Sequence, residues 1–214
     1  MSNTLTLKVK VAPKDLEIVK ESKFNLCLTR NIQYGTTELE GNVVFSMVPA
    51  VKLAPNMSLS WKEKYQVYET SNSQGGFTVK VDTQIADIEG GQQADFDTNG
   101  SYKVHGVTER GKPFRVRNEW QHPACIGVNN YDATTDSYAS IYISPKLPLY
   151  STSVLLPLKN YNIFWDMRLI TNTMIDYTYT DPYPFSLTDA NEITLEYKDA
   201  VWSIPKQLTM SVES

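Results

Sequence analysis

Leu5, Leu7, Val9 and Val11 alternate without a break with Thr4, Thr6, Lys8 and Lys10. A two-residue period places the two sets on opposite faces of an extended chain, so this segment is expected to be a strand with one face buried and one wet. The period returns at Phe24, Leu26 and Leu28, at Phe77, Val79 and Val81, at Tyr102 and Val104, and at Phe114 and Val116. Farther on it marks Ile141 and Ile143 about Tyr142, the β-forming run Tyr161-Asn162-Ile163-Phe164-Trp165, and the stripe Ile193, Leu195 and Tyr197. None of these segments fits the spacing of a helix.

About a dozen such segments recur, punctuated by Gly and Pro, with no alternating helical stretches between them. An all-β, antiparallel β-sandwich with Greek-key connections of the Ig-like or jelly-roll-like kind is expected, with little helix. Gly75-Gly76, Asn99-Gly100 and Glu109-Arg110-Gly111-Lys112 are expected hairpin turns between neighbouring strands. Pro145, Pro148, Pro157, Pro182, Pro184 and Pro205 are expected between strands or at their ends, where a missing N–H does least harm. Residues 1–214 read as one sandwich; the alternative is two small sandwiches divided near 83–100, where Glu89-Gly90-Gly91-Gln92-Gln93 suggests a long loop. A true immunoglobulin pattern is disfavoured, because position 123, two residues before Cys125, is Pro rather than Tyr.

The formal charge is −4, and Lys and Arg are scattered among acidic residues rather than gathered in a stripe, which argues against a nucleic-acid partner. No apolar run approaches the length of a membrane-spanning helix; Val154-Leu155-Leu156 stops at Pro157. The segment Met1-Ser2-Asn3-Thr4-Leu5 lacks a basic leader and an apolar core, so a cytoplasmic location is expected. In that setting Cys27 and Cys125 are expected as buried thiols, with a bridge across the sandwich as the alternative.

Motifs for catalysis are missing. His105 and His122 are accompanied by no nucleophile elbow, no His-Glu-x-x-His and no Cys-x-x-Cys pair. Asp95-Phe96-Asp97-Thr98-Asn99-Gly100 opens like a calcium loop, but its twelfth position is Gly106 where a bidentate Glu is required, so a hairpin turn is expected instead. Acidic residues such as Glu63, Asp87, Glu89, Asp132, Asp136 and Asp166 carry no spacing that selects a catalytic pair. The expectation is a protein that is not an enzyme and holds no metal.

Aromatic and methionine side chains offer the clearest hint of a ligand. Trp61, Tyr65, Trp165, Met167, Met174 and Trp202 are polarizable surfaces suited to a flat or extended apolar molecule, and Arg115 and Arg117, on the strand face opposite Phe114 and Val116, are candidates to receive its carboxylate. Competing with this are a filled core for the aromatics and a solvated edge strand for the arginines. Edge strands and surface tyrosines also make a homodimer an expectation.

The segments Phe24-Asn25-Leu26-Cys27-Leu28, Ser60-Trp61-Lys62-Glu63-Lys64-Tyr65, Phe114-Arg115-Val116-Arg117-Asn118, Tyr161-Asn162-Ile163-Phe164-Trp165 and Glu196-Tyr197-Lys198-Asp199-Ala200-Val201-Trp202 follow one another in an order that resembles a group of fungal cytosolic β-sandwich proteins. Within that group the likeness in length and composition is to pink polyene-binding chromoproteins of oyster-type mushrooms. The resemblance implies a non-catalytic binding protein holding a hydrophobic small molecule, a conjugated polyene pigment bound without a covalent link. Two alternatives stand beside it. A carbohydrate-binding lectin would use Asn129-Asn130-Tyr131-Asp132 as a strand-end loop, and a pore-forming defence protein would use the Ser- and Thr-rich strand around Thr171-Asn172-Thr173 as an insertable hairpin.

Overall fold

The computed structural model describes residues 4–71, 74–82 and 84–205. Among these residues the strands are β1 (Thr4–Val11), β2 (Asn25–Tyr34), β3 (Thr37–Leu39), β4 (Ser46–Val48), β5 (Asn56–Thr70), β6 (Ala86–Ile88), β7 (Gln93–Phe96), β8 (Tyr102–His105), β9 (Phe114–Asn118), β10 (Ala124–Asp132), β11 (Ser137–Leu147), β12 (Thr152–Asp166), β13 (Tyr183–Ser186), β14 (Glu192–Lys198) and β15 (Val201–Ser203). A nine-residue helix, α1 (Pro13–Glu21), joins β1 to β2. The strands form two sheets, as expected of an all-β sandwich. One runs β11-β10-β5-β1-β14-β15 with β6 beside β5; the other runs β3-β2-β12-β9-β7-β8 with β13 beside β12 and β4 beside β2.

The alternation in β1 survives folding intact: Leu5, Leu7, Val9 and Val11 are all buried, and they join a core cluster drawn from both sheets that includes Leu26, Phe45, Trp61, Phe114, Ile126, Ile163 and Leu195. Parallel pairing occurs twice, β1 with β14 and β7 with β9, so the antiparallel expectation holds for most of the ladder but not for all of it. Helix α1 starts at a proline, which lacks the N–H that a first turn leaves unused, and buries Leu16 and Val19 on one face. Its Asp15 carboxylate accepts hydrogen bonds from the backbone N–H groups of Asp199 and Ala200, both at 3.0 Å. Those residues form the β14–β15 turn at φ 52° and 61°, a conformation that Asp and Ala adopt rarely and that Asp15 holds from outside.

Several local expectations need correction. Phe77, Val79 and Val81 do not form a strand; only Thr78 makes a bridge, to Thr173, and Phe77 and Val81 are exposed. The backbone here pairs instead with the irregular segment 172–174: Gly76 N–H donates to the Met174 carbonyl and Val79 N–H to the Asn172 carbonyl, both at 2.7 Å, and Met174 N–H donates to the Phe77 carbonyl at 3.0 Å. The 83–99 segment is not a long loop, because it carries β6 and β7; Thr83 itself lies outside the described residues. Glu109–Lys112 is no hairpin turn: β8 and β9 do not pair, and each lies against β7. The Asn99-Gly100 turn does close a hairpin, β7 to β8, with Gly100 at φ 76° and the Asp97 carboxylate accepting from Asn99 and Ser101 N–H. Cys27 and Cys125 are buried free thiols in separate apolar clusters, so no bridge crosses the sandwich.

Strand β11 ends its sheet, and its outer edge is covered by side chains rather than by another strand. Asn42 donates to the Ile143 carbonyl at 2.8 Å and accepts from the Ile143 N–H at 3.0 Å, copying a ladder pair, while Asn172 accepts from Ser140 N–H at 2.8 Å. Unpaired edges invite edge-to-edge association, and these side chains cap the middle of this one, at Ser140 and Ile143. Replacing Asn42 by Ala leaves both groups of a buried residue unmet, which is expected to lower stability by about 2 kcal/mol in urea unfolding and to increase aggregation.

Candidate functional site

The two longest strands, β5 and β12, are each fifteen residues and each breaks its register once. On β5, Tyr65 faces Asn130 of β10 while Lys62 faces the next residue, Tyr131, so Glu63 and Lys64 are extra. On β12, Pro157 faces Ile32 of β2 and Tyr161 faces Arg30, so Leu158, Lys159 and Asn160 stand opposite Asn31 alone. Bulges of this kind free backbone groups from the ladder and re-aim side chains. The freed carbonyls then need partners, since buried polar groups without them cost free energy.

Arg30 and Asn130 supply those partners. The Arg30 guanidinium, with no solvent exposure, donates from Nε to the Leu158 carbonyl at 2.6 Å, from Nη1 to Asn130 Oδ1 at 2.7 Å and from Nη2 to the Pro157 carbonyl at 3.5 Å. Asn130 Nδ2 donates in turn to the carbonyls of Lys62 at 2.5 Å and Lys64 at 3.3 Å. One hydrogen-bonded chain therefore runs from the bulge of one sheet to the bulge of the other. The guanidinium carbon lies 5.3 Å from the Tyr65 ring centre and 5.5 Å from that of Tyr161, within cation–π range of both. Beside them Trp61 Nε1 donates to Tyr161 Oη at 2.8 Å, a second polar link between the sheets.

Burial by itself would lower the Arg30 pKa, but the phenols of Tyr161 and Tyr65 and the Glu63 carboxylate outweigh it and hold the group above its ordinary value. Burial pushes the Tyr161 phenol up to about 12, against the pull of Arg30. Tyr65 is raised by burial too, again against Arg30.

Above this network lies an open cleft of about 540 Å³. Glu63 and Tyr65 of β5, Phe114 of β9, and Leu156, Pro157 and Lys159 of β12 form its floor and one side. The β6–β7 turn contributes Glu89 and Gly90, and the β8–β9 connection contributes Thr108, Arg110, Gly111 and Lys112. Both bulges thus deliver a charged side chain, Glu63 from one and Lys159 from the other, into the same cleft. Glu63 sits between two guanidinium groups, with Oε1 3.9 Å from Arg30 Nη2 and Oε2 3.6 Å from Arg110 Nη2.

The loop carrying Arg110 and Lys112 is held by backbone contacts to the β6–β7 turn. Glu109 N–H donates to the Gly90 carbonyl at 2.6 Å, and Gly91 N–H donates to the Pro113 carbonyl at 3.0 Å. A Cβ on Gly90 would lie 2.5 Å from the carbonyl oxygens of both Glu109 and Lys112, so only glycine allows this approach. The backbone that carries Arg110 and Lys112 is thus set by its contacts to the β6–β7 turn.

Of the side chains singled out from the sequence, Tyr65 lines this cleft and the others do not. Trp61 is fully buried against Phe45 and Tyr161. Trp165 and Trp202 stack on each other in the core, 5.6 Å between ring centres, with Tyr197 against both. Met174 is buried in the small cluster around Val43 and Tyr68, and Met167 is exposed just past the end of β12. Arg115 and Arg117 lie on the exposed face of β9, and Arg117 pairs with Glu119 at 3.2 Å. Their strand is not an edge, since β12 and β7 flank it. The aromatics are a filled core, not the wall of one long channel.

The two alternative sites fare similarly. Asn129, Asn130 and Asp132 belong to β10 rather than to a strand-end loop, are buried, and have their polar groups engaged: Asn129 by Ser140, Asn130 by Arg30, and Asp132 by Ser46. Thr171 and Asn172 form a turn, and Thr173 and Met174 make isolated bridges to Thr78 and Val43, so no hairpin exists there. No helix among the described residues is long and apolar enough to cross a membrane. Comparison with protein-family models, with curated proteins and with solved structures finds no match to this chain.

Two outcomes follow from the buried network. Arg30→Met strands three acceptors and is expected to cost about 3 kcal/mol or more in chemical denaturation, and Arg30→Lys is expected to recover little of it, because one ammonium cannot replace a planar fork. The raised Tyr161 pKa also sets an alkaline limit. The folded phenol keeps its proton while the unfolded one loses it, so this contribution is whole below pH 10 and is lost as pH rises toward 12. Absorbance at the phenolate band is expected to show a set of tyrosines titrating late, together with falling stability above pH 10.

Proposed function

We propose that this chain is a binding protein for a small anionic molecule, seated in the cleft between the two bulges. The observation that carries the reading is the convergence of Arg110, Lys112 and Lys159 on one cleft in a chain whose net charge is −4. Three cations opposed by Glu63 and Glu89 favour an acid group at the mouth, where they also attract it from solution. Tyr65, Leu156 and Pro157 offer an apolar surface for the remainder. The volume suits a small molecule, and the mixture of an apolar wall with a few placed charges is the usual composition of such sites.

The polyene acid implied by the resemblance to fungal chromoproteins is the most apolar member of this class. Its carboxylate would meet the cations of the cleft rather than Arg115 and Arg117. With Trp61, Trp165 and Trp202 committed to the core, its chain would rest on Tyr65 and its neighbours instead of a tryptophan channel.

The test is recovery of the ligand. Protein purified from its source is expected to yield, on organic extraction and mass spectrometry, an acid in stoichiometric amount, with a visible absorption band if that acid is conjugated. Arg110→Ala combined with Lys112→Ala is expected to weaken its rebinding about tenfold or more, the loss of one to two charge-assisted contacts. Rebinding unchanged in the double variant contradicts the assignment.

A further inference from the structure

We infer that the ligand of this cleft carries hydroxyl groups on its body, directed at Glu63, so that its class is a polyhydroxylated acid such as a sugar acid rather than a fatty or polyenic acid; this rests on the cleft being the anion site described above. Glu63 is partly exposed at the cleft, with a side-chain accessibility of 21%. Its oxygens are 3.6 and 3.9 Å from the nearest guanidinium nitrogens, which gives charge compensation but not a hydrogen bond. Among the described residues no hydrogen-bond donor reaches it, and as a residue lining the cleft it is open to donors from a bound molecule. A carboxylate in this state accepts hydrogen bonds from hydroxyls and repels a second acid group.

The surroundings agree with that division of labour. Lys112 and Lys159 are the cations of the cleft with no ion-pair partner among the described residues, so the acid group of the ligand belongs with them. The body of the ligand then spans from those lysines toward Glu63 across the Tyr65 ring, and a ring bearing hydroxyls on its edge and C–H groups on its face matches both surfaces. A purely apolar body would leave the Glu63 carboxylate covered and without a donor, which costs binding free energy.

Isothermal titration calorimetry with three probes decides this: glucuronate, which has both acid and hydroxyls; glucose, which has hydroxyls only; and hexanoate, which has the acid only. Glucuronate is expected to bind about tenfold or more tighter than either of the others, since each lacks one set of charge-assisted contacts. Glu63→Leu is expected to tighten hexanoate, by removing a repelling charge, and to bring the glucuronate-to-hexanoate ratio close to one. Should that variant fail to fold, Glu63→Gln, which keeps an acceptor but loses the charge, is expected to reduce the ratio about threefold or more. If hexanoate binds the native protein as tightly as glucuronate, the hydroxyl inference is overturned while the anion site stands. If neither acid binds, both are overturned.

Discussion

A guanidinium with no access to solvent is tolerable only when its donors and its charge are met inside the protein, and the rest of this structure is arranged around meeting those of Arg30. Its acceptors are the carbonyls of Pro157 and Leu158, which are available because β12 leaves register there. Its link to the other sheet is Asn130, whose amide takes the carbonyls freed by the corresponding bulge in β5. Each bulge is met by a polar side chain of its own sheet, Arg30 of β2 and Asn130 of β10, and the hydrogen bond between these two side chains ties the sheets together at one relative register. An apolar core would hold them together without fixing that register as tightly.

The bulges also decide what the surface above Arg30 looks like. Each inserts residues that have no place in the ladder, and the charged side chains at those positions, Glu63 and Lys159, turn outward into the cleft. Glycines 90 and 91 bring the Arg110 and Lys112 loop close enough to form the opposite wall. The backbone that carries Arg110 and Lys112 is therefore held in place by its own hydrogen bonds to the β6–β7 turn. Trp61, packed at a tilt against Tyr161 and hydrogen-bonded to it, lies in the core beside the site and does not line the cleft.

How much of this could be read from the chain depends on the residue. Strands such as β1 and β9 declare themselves, because one face is wet and the alternation is clean. Strand β10 does not, since almost every residue in it is buried and both faces carry Asn, Gly or apolar side chains. Periodicity also says which side a tryptophan takes but not how deep it lies, so Trp165 and Trp202 in the core carry the same pattern a binding wall would. The informative signal at the site was a charge in phase with an apolar stripe. Arg30 keeps step with Leu26, Leu28 and Ile32, and Glu63 keeps step with Leu59, Trp61, Tyr65 and Val67. A charged residue on the inward face must be paired or must border a cavity, and these two do one each. Arg110 and Lys112, placed by backbone contacts between distant loops, leave no such trace.

The central claim is that a preformed cleft between the two bulges, and not the aromatic core, receives the ligand. Amide chemical-shift mapping of the isotope-labelled protein during a glucuronate titration tests it most directly. Shifts concentrated at Glu63–Tyr65, Gly90, Arg110–Lys112 and Leu158–Lys159, with Trp165, Tyr197 and Trp202 unmoved, are the expected result. Shifts centred on Trp165 and Trp202, or spread evenly with none at the cleft, would contradict it.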